Sequence, residues 1–78
     1  MSPKLPVVSG AKAIKAFRRL GYEITRQKGS HVRLRHLADP WRLPLSVPDH
    51  GTLKLGVLTR LLRDAGLTGD EFMALLRH

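Results

Sequence analysis

The chain contains no cysteine, which excludes a disulfide framework and any thiolate metal site. Small secreted domains generally need such staples, so a cytoplasmic location is expected. No apolar run approaches the length that spans a bilayer, and the opening MSPKLPVVSG lacks the apolar region of a signal peptide. No membrane partner and no leader are expected, and the chain reads as complete. Aromatic residues are few (Phe17, Tyr22, Trp41 and Phe72), which argues against a platform stacking the successive bases of a single strand. Acidic residues are scarce too: six Asp and Glu stand against 14 Lys and Arg, a formal net charge of +8. That excess points to a polyanionic partner, nucleic acid foremost; a solubility charge and a face that docks an acidic protein are the alternatives.

The 78 residues form one domain, 1–78, with no repeat, linker or low-complexity tract. Residues 1–8, with Pro3 and Pro6, read as an extended lead-in. Ser9 is a helix N-cap, and Ala13, Ile14, Phe17 and Leu20 then follow the stripe of a helix over about 10–20, stopped by Gly21. Lys12, Lys15, Arg18 and Arg19 cover its other side; they suit a nucleic-acid backbone and an ordinary solvated face equally well. Beyond Gly21 the period changes to two. Tyr22 to about Gln27 reads as a strand, Lys28-Gly29-Ser30 as a turn, and His31–His36 as a second strand. A loop over 37–40 leads to a third strand, Trp41 to Val47, with Leu43, Leu45 and Val47 on one side. Pro44 cannot donate to a ladder, so this strand belongs at an edge. A second helix follows from about Leu55 to Ala65, with Leu55, Leu58, Leu61, Leu62 and Ala65 inward and Gly66 as its stop. Thr68 and Glu71 have the spacing of a capping box for a short last helix carrying Phe72, Leu75 and Leu76.

The expected class is therefore α+β, an α-β-β-β-α two-layer sandwich. Its three-stranded antiparallel sheet carries the helices on one face, with a short extra C-terminal helix. Alternation turns Val32 and Leu34 toward the helices and leaves His31, Arg33 and Arg35 together on the open face. The pattern alone fits two readings of His31: a polar residue on a solvated strand, or an imidazole presented beside a glycine turn among phosphate-binding cations. His50, in Val47-Pro48-Asp49-His50-Gly51, reads first as a loop histidine, although the helix start downstream offers N–H groups to an anion. No histidine or aspartate spacing matches a metal site, and His31 and His36 fall on opposite strand faces; no metal and no cofactor are expected. A glycine-rich phosphate loop and a Ser-His-Asp arrangement are also absent. Two helices flanking a sheet do not make a helix-turn-helix, which disfavours a DNA-binding regulator.

Four stretches, in order, resemble the HicA family of mRNA interferase toxins. These are Val7-Val8-Ser9-Gly10 with the helix ending Leu20-Gly21-Tyr22; Arg26-Gln27-Lys28-Gly29-Ser30-His31; Val47-Pro48-Asp49-His50 with Leu55-Gly56-Val57-Leu58; and Asp64-Ala65-Gly66-Leu67 with the closing helix. The connection Leu37-Ala38-Asp39-Pro40-Trp41 is more apolar than usual in that family, and Val57 stands where threonine is common. The resemblance implies a double-stranded-RNA-binding-domain-like fold, ribosome-independent mRNA cleavage, and His31 as the catalytic residue. It also implies a HicB-like antitoxin that covers the site. Beyond the resemblance, Lys28, Ser30, Arg33 and Arg35 are candidate RNA-binding residues, and His50 is a candidate proton donor. A non-catalytic RNA-binding module using the same face is the alternative.

Overall fold

Ser9 opens the first helix, α1 (Gly10–Leu20), with its hydroxyl accepting the Lys12 backbone N–H at 3.2 Å. This is seen in a computed structural model that describes residues 5–77. The first half of the expected lead-in, including Pro3, lies outside the described residues; residues 5–8 have no regular secondary structure. Ala13, Ile14, Ala16 and Phe17 form the buried side of α1, while Lys12, Lys15, Arg18 and Arg19 are exposed. Strands β1 (Tyr22–Lys28), β2 (His31–His36) and β3 (Leu45–Pro48) form one antiparallel sheet in the order β1-β2-β3. Helices α2 (Leu55–Ala65) and α3 (Gly69–Leu76) complete the chain. This is the expected α+β, double-stranded-RNA-binding-domain-like arrangement.

The core lies between the sheet and the helices. Phe17 from α1, Tyr22 from β1 and Phe72 from α3 meet as an aromatic cluster, with centroid separations of 6.0 Å for Phe17–Tyr22 and 5.5 Å for Phe17–Phe72. Val32, Leu34, Leu45, Val47 and Leu58 are equally buried. Each such side chain contributes about 1.5–3 kcal/mol of apolar burial, so a chain this short depends on nearly all of them. The capping box of α3 forms as expected: Thr68 Oγ1 accepts from Glu71 N–H and the Glu71 carboxylate accepts from Thr68 N–H.

Two expectations need correction. The third strand begins at Leu45, not Trp41, and Leu43 is half exposed instead of sharing the inner side of Leu45 and Val47. The backbone of Leu43 is already committed elsewhere. Its N–H donates to the Asp64 carbonyl at 2.8 Å and its carbonyl accepts the Tyr22 hydroxyl at 2.8 Å. Residues 41–44 are thus tied to the end of α2, and Arg42 reinforces this by bonding both the Asp39 carboxylate and the Ala65 carbonyl. The second correction concerns Leu55, which is exposed although it shares a helix face with Leu58 and Leu62, because it occupies the first position of α2. Leu53, just before the helix, supplies the buried side chain there.

Candidate nucleic-acid interface

The hairpin tip sets the register of the open face. Gly29 has φ +58° and Ser30 does not have a positive φ, the sign pattern of a two-residue turn with glycine in its first central position. The turn pairs Lys28 with His31, Gln27 with Val32 and Arg26 with Arg33. At the base of the hairpin, however, the buried Tyr22 pairs with the buried His36, and the half-exposed Ile24 follows with Leu34. These two registers differ by one residue. A β-bulge absorbs the difference between Ile24 and Arg26, leaving Thr25 as the extra residue, and its hydroxyl reaches the Arg33 carbonyl at 3.4 Å.

The bulge has a chemical consequence. Strict alternation from the buried Tyr22 would turn Arg26 and Lys28 toward the helices. With one residue inserted, both instead lie opposite Arg33 and His31 on the open face. On the other side of β2, Ser46 pairs with Arg33 and Pro48 with His31. The result is a shallow depression of about 210 Å³ lined by Arg26, Lys28, His31, Arg33 and Ser46. His31 and Arg33 stand on the central strand, held by ladder bonds on both sides, so the imidazole is presented from rigid backbone.

Of the residues expected from sequence, Lys28, His31 and Arg33 come together here. Arg35 shares the face but does not line the depression; it stands roughly 13 Å along the strand from His31, opposite Glu23. Ser30 and His50 do not line it either. Their two loops are nonetheless joined at the rim, where Asp49 N–H donates to the Ser30 carbonyl at 2.6 Å. Gly10 N–H also donates to the Gly51 carbonyl at 3.1 Å, so the His50 loop is tied to the hairpin on one side and to α1 on the other. Arg26 and Ser46 were missed in the sequence, the first because the bulge is invisible to alternation and the second because strand pairing is not written locally.

Among the described residues the cations of this face are not ion-paired within it, although Glu23 stands opposite Arg35. The ion pair among the described residues is Arg42–Asp39, with His36 Nε2 3.9 Å from the same carboxylate, and neither contact involves Arg26, Lys28, Arg33 or Arg35. Also among the described residues, no group of three or more His, Asp or Glu side chains is placed to hold a metal ion, and no helix is long and apolar enough to cross a membrane. Four cationic side chains around or beside one exposed imidazole can seat a phosphodiester and leave a proton-transfer group next to it.

Fold and face together define a small open-faced α+β domain whose uncovered sheet carries a cationic, histidine-bearing depression. Among proteins of this class the chain belongs to the HicA toxin family: the model of that family, the HicA toxin of bacterial toxin–antitoxin systems, matches residues 10–67. Membership implies a cognate antitoxin and an RNA target. No curated protein matches the chain.

Proposed function

We propose that the protein is an endoribonuclease that cleaves mRNA in the cytoplasm with His31 as its catalytic residue, and that a HicB-like antitoxin neutralises it by covering the open face. The observation that carries this reading is the convergence of Arg26, Lys28, Arg33 and His31 on one depression. RNA supplies its own nucleophile. His31 accepts the proton of a 2′-hydroxyl as that oxygen bonds to the adjacent phosphorus, and the bond from phosphorus to the 5′-oxygen breaks. The arginines and Lys28 stabilise the charge growing on the non-bridging oxygens. The departing 5′-oxygen takes up a proton, for which His50, on the loop joined to the hairpin turn, is the candidate donor. The products are a cyclic phosphate and a 5′-hydroxyl. Arg35 and Ser30 lie outside the depression and serve phosphates flanking the scissile one.

Nothing in this sequence of bonds calls for a cofactor or a metal ion. An RNA bearing a single 2′-deoxy nucleotide at its cut position tests the scheme: that bond should resist cleavage while the same RNA still binds. Cleavage at the deoxy position would refute attack by the 2′-hydroxyl, and binding of ordinary RNA without any cleavage would identify a non-catalytic RNA-binding module.

A further inference from the structure

The depression around His31 does not end at Arg33 and Ser46. The same two residues also line a second, larger groove of about 330 Å³, which passes over the outer edge of β3 to α2. Its far wall is formed by Arg60 and Val57 of α2, with Pro44 on the near side. Arg60 is exposed, and among the described residues it has no carboxylate within ion-pairing distance. Pro44, Leu45, Val57 and Leu61 form the apolar part of the lining, and of these Val57 and Pro44 are exposed. Asp64, one helical turn beyond Arg60, lines the groove as well.

We propose that the RNA strand leaving the His31 depression crosses β3 at Ser46 and continues along this groove. Arg60 there binds a phosphate flanking the scissile one, and Val57 and Pro44 receive the attached ribose and base. The inference rests on the ribonuclease reading above and extends it to a second set of residues. Charge gives the track its direction. Arg33 and Arg60 hold successive phosphates, and the carboxylate of Asp64 repels the next one, so the phosphate track ends before Asp64. Ser46 is the crossing point, where a small hydroxyl side chain lets the strand pass between the two arginines.

A mixed-sequence RNA oligonucleotide with 2′-O-methyl groups throughout cannot supply the nucleophile and is a suitable binding probe. Arg60→Ala should bind it about tenfold more weakly than wild type, the loss of one charged contact. The slope of log affinity against log salt should flatten by roughly 0.7, the value of one phosphate on a single strand. Arg60→Lys should restore most of the slope. Arg63→Ala removes the same charge from a part of α2 outside the groove and should leave the slope unchanged. Equal effects of Arg60→Ala and Arg63→Ala would overturn the groove by showing a net-charge effect only. Unchanged RNA binding by Arg60→Ala, with weakened antitoxin binding, would assign the groove to protein instead. A wild-type protein that binds no RNA at any salt would overturn the ribonuclease reading itself and the groove with it.

Discussion

Two histidines on one strand, five residues apart, sit in opposite environments. His36 is buried, its Nε2–H donating to the Leu20 carbonyl and its Nδ1 accepting the Asp39 N–H, both at 2.9 Å, with its ring edge-on to Tyr22. Both ring nitrogens are thereby used in holding the end of α1 and the loop after β2. Gly21, with φ +120°, packs against this ring, and a Cβ there would stand 2.6 Å from His36 Nε2. His36→Ala should therefore cost about 2 kcal/mol or more in denaturant unfolding, because two backbone groups lose their partner. His31→Ala, on the exposed face, should change stability by no more than about 0.5 kcal/mol. Tyr22 gives a second residue-scale test. Burial pushes its phenol up to about 12, with Asp64 adding to the shift and Arg42 opposing it. The folded state thus holds the phenolic proton more tightly than the unfolded state does. This stabilisation is complete below the ordinary value of about 10 and is lost as pH rises from there toward 12. Tyr22 is the single tyrosine of the chain, so phenolate absorbance reads it alone. Titration at the ordinary tyrosine value in the folded protein would contradict its burial against the core.

Strand β1 is where element-scale physics departs from local pattern. Deleting Thr25 should close the bulge while keeping Ile24 opposite Leu34 and Arg26 opposite Arg33, so the variant should fold and bind RNA. Deleting Gln27 instead should push Arg26 off the open face and weaken RNA binding several-fold; equal behaviour of the two deletions in a binding titration would show that the bulge does not aim these side chains. Four of the six helix ends were legible because a residue with its own local chemistry caps them, Ser9, Thr68, Gly21 and Gly66, whereas α2 follows Lys54 without a side-chain cap and α3 ends at Arg77. The alternation of β2 was legible because both of its neighbours are strands and one face is wholly buried. Arg26 was not legible, since the bulge arises from a conflict between the register at the turn and the register at the base that only the paired hairpin reveals. The start of β3 was misplaced for a related reason: Leu43 looks like a strand residue, but Tyr22 and Asp64, distant in sequence, claim its backbone. The role proposed for His31 comes from the family motif, since a histidine on a solvated strand is by itself unremarkable.

At the scale of the whole molecule, charge and open face determine how the toxin meets its partners. A protein covering Arg26, Lys28, Arg33 and Arg35 must bring carboxylates, because cations buried without partners are costly. The antitoxin complex should therefore form fastest at low salt, and substrate RNA should compete with it for the face; a stable complex that still cuts RNA would exclude occlusion of the site. Cleavage by the separated toxin should persist in excess chelator, since the proposed reaction draws its nucleophile from RNA and its cations from side chains; loss of activity restored by added divalent metal would show otherwise. The most direct measurement is the rate of RNA cleavage by purified His31→Ala, with circular dichroism and unfolding compared with wild type. The account predicts a protein that is folded, binds RNA and has lost cleavage by several orders of magnitude. A folded His31→Ala protein that cuts RNA at the wild-type rate would contradict it.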